Sequence, residues 1–175
     1  MRLQAHAFRA LNPVWIADPL SGEGAKRYGG RFNPKGTPAL YTALDPITAV
    51  REVSQIGQPV QPTMLVTYAI DVDPIFDGTD VLALAAYNMA QADLARNDWR
   101  VQAEPVTHAF ALALIRDGYA GLRAPSFARG AGPASLNLIL WKWGPDLPTQ
   151  VRLIDTEGRL TPAPPAHDAS GLPSA

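Results

Sequence analysis

The fold is decided by residues 27–53, which read RYGGRFNPKGTPALYTALDPITAVREV. This stretch runs from a glycine-rich basic turn through a short strand, predicted over residues 38–43, into a helix. Asp45 and Pro46 mark the start of the helix, because Asp is a favoured N-cap and Pro suits the first helical position. Apolar residues recur at near-helical spacing and predict a buried stripe along it: Ile47, Val50, Val53 and Ile56.

The rest of the chain does not alternate regularly between strands and helices. Further strands are predicted over residues 3–9, 63–70, 119–124, 136–143 and 151–154, helices over 81–95 and 105–117, and a glycine-rich loop over 18–30. This order favours a single-domain α+β fold, with flanking helices around a mixed or largely antiparallel sheet. The domain is predicted over residues 1–160, and residues 161–175 form a low-complexity tail that is predicted to be disordered.

Length and composition exclude several classes of protein. The chain has 175 residues, which suits one domain with one sizeable core. Its formal net charge of −1 provides no basic field, so direct nucleic-acid binding is not expected. No stretch is long enough to span a membrane. The chain has no cysteine, which excludes disulfides and cysteine–zinc sites and fits a reducing compartment, so we expect a cytoplasmic protein.

Several common catalytic motifs are absent. The segment from Gly22 to Arg27 begins like a dinucleotide-binding fingerprint but has Arg in place of the third glycine. The three histidines, at positions 6, 108 and 167, share no metal-ligand spacing, so no metal site is expected. Ser126 lacks the flanking glycines of a nucleophile elbow. A redox enzyme or a Ser/His/Asp hydrolase is therefore disfavoured.

Six polar residues stand out because they lie in apolar or glycine-rich surroundings: Arg9, Arg31, Tyr41, Glu52, Ser126 and Asn137. The segments GGRFN at 29–33, GTPALY at 36–41 and AVREV at 49–53 together resemble the RES domain, which is named for its Arg, Glu and Ser. Pro125-Ser126 and Asn137 fall where that family has its serine and a following polar strand residue. The resemblance covers roughly residues 5–155.

The resemblance implies a fold and an activity. Members of the RES family are bacterial toxins of toxin–antitoxin pairs, with a fold similar to that of ADP-ribosyltransferases. They consume NAD by breaking its nicotinamide–ribose bond, and pass ADP-ribose to water, phosphate or a protein. Their antitoxins are helix-turn-helix proteins that occlude the active site. The expected substrate is therefore NAD, the expected partner is such an antitoxin, and a protein target of ADP-ribosylation is a further possibility.

The resemblance also assigns roles to the six residues. Arg31, Glu52 and Ser126 are expected to be catalytic, with Glu52 stabilising an oxocarbenium-like ribose. Arg31 and Arg9 would hold the pyrophosphate. Tyr41 would stack on the nicotinamide or hydrogen-bond the ligand, and Ser126 and Asn137 would orient nicotinamide or ribose. The expected substrate-binding residues are Arg9, Tyr41 and Asn137.

Each assignment has a structural alternative. A glutamate such as Glu52 on a helix is most often a solvated surface charge, and Arg31 could form an ion pair with Glu52 or Asp45 as scaffolding. At the level of the whole protein, the alternative is a non-catalytic nucleotide-binding interaction module that retains the shape of the site. The sequence does not choose between protein, water and phosphate as the acceptor.

Overall fold

The computed structural model describes residues 1–54 and 61–160. The predicted disordered tail at 161–175 and Ile56 of the predicted helical stripe lie outside these ranges. Seven strands form one sheet: β1 (Leu3–Leu11), β2 (Leu40–Ala43), β3 (Met64–Val72), β4 (Ile75–Asp77), β5 (Gly121–Pro125), β6 (Leu136–Leu140) and β7 (Thr149–Leu153). Their order across the sheet is β4-β5-β6-β2-β1-β3-β7, and only β4 and β5 run parallel. The predicted α+β fold with a mixed sheet is confirmed.

Five helices accompany the sheet in the described ranges: α1 (Glu23–Tyr28), α2 (Pro46–Val53), α3 (Val81–Ala85), α4 (Gln91–Leu94) and α5 (Val106–Arg116). Two predictions are wrong in detail. The predicted loop at 18–30 contains α1, and the predicted helix over 81–95 is broken into α3 and α4. The break follows from Asn88, whose φ of 55° lies in the left-handed region and cannot continue a right-handed helix. No helix in the described ranges has the length and apolar character needed to cross a bilayer.

Helix α2 begins as predicted, because Asp45 accepts a hydrogen bond from the Thr48 N–H at 2.8 Å. The predicted buried stripe is wrong, since Ile47 is 62% exposed and Val50 and Val53 are also exposed. The buried residues of α2 are instead Thr48 and Ala49. Small side chains on the underlying strands allow the helix to lie close to the sheet through this face.

This orientation of α2 determines where its carboxylate points. Glu52 is four residues after Thr48 and three after Ala49, so it lies on the helix face that those buried residues define. The sheet-facing side of α2 therefore carries a glutamate at its last turn. A helix with the predicted apolar stripe would have placed this glutamate at the border of the buried face.

The two faces of the sheet belong to different cores. Along β6, Leu138 and Leu140 pack into one hydrophobic cluster, whereas Ile139 and the residue that follows the strand, Trp141, pack into another together with Phe110 of α5. This alternation is the period-two pattern of a strand that is buried on both faces. The sheet is therefore a central layer that is packed on both faces, and the loops and α2 are positioned on it.

The sheet opens between its two central strands. Strand β1 pairs with β3 from Leu3↔Val72 to Leu11↔Met64, but its register with β2 consists of the single pair Phe8↔Ala43. Strand β2 pairs on its other side with β6 over its whole length. Strands β1 and β2 therefore diverge, and residues on either side of the gap can line a shared cleft.

Candidate active site

The carboxylate of Glu52 is the point where three chain segments meet. Its Oε1 accepts hydrogen bonds from Ser126 Oγ at 2.6 Å and from Asn137 Nδ2 at 2.5 Å. Helix α2, the loop after β5 and strand β6 supply these three residues. Among the described residues, no group donates to the other oxygen, Oε2. Two neutral donors thus fix one oxygen of Glu52.

Both donors are themselves held in place. Ser126 is 8% exposed, and its Oγ accepts from the Ala128 N–H at 3.2 Å while it donates to the carboxylate. Asn137 lies opposite Ala43 in the sheet register, and this small neighbour leaves room for the amide to reach α2. The Oδ1 atom of Asn137 is buried and has no partner among the described residues. This oxygen is an acceptor available to a ligand.

Arg31 provides a cation that no carboxylate neutralises directly. Within the described ranges it forms no ion pair, so the scaffolding pairs with Glu52 or Asp45 are not present. Its guanidinium lies 5.3 Å from the ring centroid of Phe127, and its Nη2 is 3.5 Å from Asn97 Oδ1, the outer limit of a hydrogen bond. Its Nε is buried without a partner.

Burial lowers the pKa of Arg31, and the negative charge of Glu52 partly offsets this effect. Arginine nevertheless stays protonated in proteins, because its unperturbed pKa is so high. A half-buried guanidinium with unused donors is suited to bidentate contact with a phosphate or carboxylate. The geometry at Arg31 therefore fits an anionic ligand better than a purely structural role.

The hydroxyl of Tyr41 organises the turn that carries Arg31. It donates to Asn33 Oδ1 at 2.7 Å and accepts from the Phe32 N–H at 2.9 Å. Asn33 is fully buried, and its amide donates to the carbonyls of Ala25 and Thr37. Burial raises the pKa of Tyr41 far above its ordinary value, so the phenol is neutral. The hydroxyl therefore has a structural role in the turn, whereas Tyr41 also lines the cleft.

Other contacts constrain the same turn. A Cβ at Gly30 would lie 2.4 Å from the Tyr41 hydroxyl, so this position accepts only glycine without rearrangement. The indole N–H of Trp141 donates to the Phe32 carbonyl at 2.9 Å. His108 Nε2 lies 2.7 Å from the Gly30 carbonyl and donates to it, because a carbonyl can only accept. Side chains of Tyr41, Trp141 and His108 therefore hold the backbone of this turn in place.

Arg9 is engaged more fully than Arg31. Its Nη1 donates to the carbonyls of Pro19 and Ser21, each at 3.1 Å. The hydroxyl of Tyr68 donates to the same Pro19 carbonyl. Arg9 therefore ties β1 to the loop before α1, while it also lines the cleft.

The cleft consists of two adjoining cavities with volumes of about 320 Å³ and 470 Å³. Both are lined by Arg9, Tyr41, Glu52 and Asn137. Arg31 lines the larger cavity, so five of the six predicted site residues surround the cleft. The sixth, Ser126, reaches it through its hydrogen bond to Glu52.

Sequence reasoning missed some residues that complete the site. Phe127 stacks with Arg31, and Trp99 and Arg100 form a wall of the larger cavity. Their positions depend on where the loops after α4 and β5 return to the sheet, for which the sequence carries no signal. Asn33 could have been singled out, because a buried Asn beside glycines in a turn is expected to hydrogen-bond the backbone. In the part of the chain that the structure describes, no group of three or more His, Asp or Glu could hold a metal ion.

Comparison with known proteins identifies the family. The RES domain matches residues 6–163 of this chain. Proteins named NAD(+) phosphorylase MbcT from Mycobacterium tuberculosis and Mycobacterium bovis are 36% identical to it over 92 residues. This match covers 47% of the chain and 50% of each relative, so the chain spans about half the length of the curated relatives it matches.

A solved structure shows the same fold. The crystal structure of the M. tuberculosis MbcT–MbcA toxin–antitoxin complex aligns with a TM-score of 0.60 and 23% identity, over 89% of this chain and 84% of that one. The domain match covers most of the chain, including Arg31, Glu52 and Ser126. This protein belongs to the RES domain family.

Proposed function

We propose that this chain is the toxin of a bacterial toxin–antitoxin pair, and that it cleaves the nicotinamide–ribose bond of NAD and transfers ADP-ribose to an acceptor. The observation that carries this proposal is the Glu52 carboxylate, which Ser126 and Asn137 orient in a cleft that also contains the unpaired Arg31 guanidinium. The names of the relatives, NAD(+) phosphorylase and toxin–antitoxin complex, support it.

The proposed chemistry begins with loss of nicotinamide. The bond from the anomeric carbon to the pyridinium nitrogen breaks, its electron pair moves to nitrogen, and nicotinamide leaves as a neutral molecule. Positive charge then develops on the ribose, and a fixed carboxylate stabilises that charge without having to reorient. Glu52 takes this role through Oε2, while its Oε1 stays bound to the two neutral donors.

The other site residues hold the substrate. Arg31 contacts the diphosphate through its unused N–H groups, and Arg9 adds a second positive charge. The ring of Tyr41 packs against the nicotinamide, whose positive charge favours an aromatic face. Asn137 offers its free Oδ1 as an acceptor to a ribose hydroxyl or to the nicotinamide amide.

Phosphate is the acceptor we propose first, because the relatives are NAD(+) phosphorylases. A phosphate oxygen attacks the anomeric carbon and forms ADP-ribose 1″-phosphate. Attack by water would give free ADP-ribose, and attack by a protein side chain would give a modified protein. All three outcomes share the same first bond cleavage, so the site geometry serves each of them.

Product analysis tests the reaction. The purified chain is incubated with NAD in buffers with and without phosphate, and the products are separated by chromatography and mass spectrometry. We expect nicotinamide release that rises with phosphate and a product one phosphate heavier than ADP-ribose. Free ADP-ribose alone would assign water as the acceptor, and a labelled band from tagged NAD in lysate would assign a protein. Correctly folded protein that releases no nicotinamide with any acceptor would contradict the proposal.

The proposed partner is a helix-turn-helix antitoxin that covers the cleft, and the proposed compartment is the cytoplasm, where NAD and such an antitoxin would both be present. Co-expression with the product of a neighbouring small gene tests the partnership. We expect the two proteins to purify together and nicotinamide release to be blocked in the complex. A complex that still cleaves NAD at the full rate would contradict occlusion of the cleft.

A further inference from the structure

A third cavity, the side pocket, adjoins the cleft. It has a volume of about 530 Å³ and shares Gly29, Trp99 and Arg100 with the larger cavity of the cleft. Lys35 and His108 also line it. Because these three residues line both cavities, the cavities are neighbours, and a ligand that reaches Trp99 and Arg100 from the cleft would enter the side pocket.

The side pocket is positively charged. Lys35 and Arg100 line it, and its described lining contains no Asp or Glu. Within residues 1–54 and 61–160, neither cation lies within ion-pair distance of a carboxylate. Arg100 also lines the larger cavity of the cleft together with Arg31, and its like charge lowers the pKa of Arg31 in addition to the larger effect of burial. A phosphate-bearing ligand would neutralise this cluster.

The side pocket also presents aromatic surface. Trp99 and Tyr28 line it, and Tyr28 is 62% exposed. Arg100 lies 4.9 Å from the ring centroid of Trp99, and Arg27 lies 5.4 Å from that of Tyr28. Aromatic rings beside cations are the surfaces on which purine bases stack, because every base has a π-face and its phosphate is anionic.

We propose that the side pocket receives the adenosine end of the dinucleotide, with Lys35 and Arg100 on the diphosphate and Trp99 against the adenine. This inference rests on the proposed function and fixes the direction in which the substrate lies. The nicotinamide end lies at Glu52, and the diphosphate lies beside the residues that the side pocket shares with the cleft.

The opposite orientation, with the phosphate-bearing adenosine end in the smaller cavity of the cleft, is disfavoured by the charges that line the cavities. Apart from the residues shared with its neighbour, the smaller cavity of the cleft is lined by Phe8, Ala10, Thr42, Ala43, Ala49 and Val53. None of these carries a charge. Arg9 is the one cation in the described lining of this cavity, whereas the larger cavity and the side pocket add Arg31, Arg100 and Lys35. A diphosphate in the smaller cavity would exchange its water for a single cation, which is less favourable, whereas a nicotinamide ring would bury its flat faces there.

Equilibrium binding of ADP tests this direction without any turnover. The probe is titrated by calorimetry into the full chain and into the Lys35→Met and Trp99→Ala variants. We expect Trp99→Ala to bind ADP roughly tenfold more weakly, in the range known for loss of base stacking. We expect a loss of about tenfold for Lys35→Met as well, in the range of a hydrogen bond to a charged group. Nicotinamide mononucleotide lacks the adenosine end, so the affinity of both variants for it should fall by less than about threefold. The matched control is Lys26→Met, which removes a lysine that pairs with Glu23 and lines none of the three cavities.

A conservative variant separates stacking from folding, since Trp99→Phe keeps a ring and should retain most of the ADP affinity. Unchanged ADP binding in Lys35→Met and Trp99→Ala would overturn the proposal, as would equal losses for ADP and nicotinamide mononucleotide. If the two variants bound ADP normally but no longer bound inorganic phosphate, the side pocket would be the site of the phosphate acceptor, and this result would also overturn the proposal. A chain that binds ADP as expected but releases no nicotinamide would contradict the proposed function alone.

Discussion

The Tyr41→Phe substitution removes one hydroxyl and leaves the aromatic ring in place. That hydroxyl joins Asn33 Oδ1 and the Phe32 N–H, at 2.7 Å and 2.9 Å. Asn33 is 0% exposed and Phe32 is 4% exposed, so water does not replace the lost partner. Because each of these two buried groups costs about 1–3 kcal/mol when it is left unpaired, we expect the free energy of unfolding to fall by about 2–6 kcal/mol.

Urea denaturation measures this loss, with a lower midpoint and an unchanged slope as the expected result. The matched control is Tyr119→Phe, because Tyr119 is a half-buried residue whose hydroxyl forms no hydrogen bond to any residue in the described ranges. We expect that variant to lose less than about 0.5 kcal/mol. A thermal scan should agree, with Tyr41→Phe melting several degrees lower, since about 1 kcal/mol shifts the midpoint by roughly 2–4 °C at this size.

The same substitution also tests how the turn supports Arg31. Loosening the turn should raise the KM for NAD more than it lowers kcat, because the guanidinium is proposed to bind the diphosphate. If Tyr41→Phe were as stable as Tyr119→Phe, the hydroxyl would not hold the turn and our reasoning would be refuted. Full stability with a large loss of NAD affinity would instead place the hydroxyl in direct contact with the substrate.

Three further predictions concern the site and its support. Ser126→Ala removes a hydrogen bond to the Glu52 carboxylate, which is proposed to be catalytic, and should lower kcat for nicotinamide release about 10- to 100-fold, as expected for a bond to a charged group; an unchanged kcat would contradict the arrangement. Gly30→Ala forces a Cβ to within 2.4 Å of the Tyr41 hydroxyl and should cost about 2 kcal/mol or more in urea denaturation, whereas Gly24→Ala, which meets nothing within 4 Å, should be neutral or slightly stabilising. Burial raises the pKa of Tyr41, and burial with a hydrogen-bonded carboxylate raises the pKa of Tyr87 to about 12. Unfolded tyrosines lose their protons near pH ~10, so stability should be fully present below that pH and fall as the pH rises further; denaturation midpoints that stay constant to pH ~11 would contradict this.

Much of the site could be predicted because its residues lie in short local motifs. The N-cap Asp45 and Pro46 fix the start of α2, and the segment through Arg31, Tyr41 and Glu52 is continuous in sequence. Six of the seven strands were predicted from their composition and alternation, which report burial directly. Strand β4 was not predicted, because its three residues, Ile75–Asp77, lie in a turn-rich stretch and are too few to show a period. Ser126, more than seventy positions from Glu52, was assigned only by its likeness to the family.

The remaining features depend on tertiary packing. The apolar residues of α2 predict a buried stripe, but the helix turns Thr48 and Ala49 towards the sheet because small side chains allow a close approach there. The roles of Phe127 and Arg100 follow from the return paths of two loops. Propensity and periodicity carry no information about such paths, because loop placement is decided by contacts distant in sequence.

The most direct test of the central claim is the rate of nicotinamide release by Glu52→Gln at saturating NAD. A glutamine oxygen can still accept from Ser126 and Asn137, so the change removes the negative charge and preserves the geometry. We predict a fall in kcat of about 100- to 1,000-fold, while Glu23→Gln, which alters an exposed carboxylate on α1, keeps the wild-type rate. Undiminished turnover in Glu52→Gln would contradict the claim that this carboxylate stabilises the ribosyl cation. A wild-type chain that binds NAD without releasing nicotinamide would instead identify a non-catalytic nucleotide-binding module.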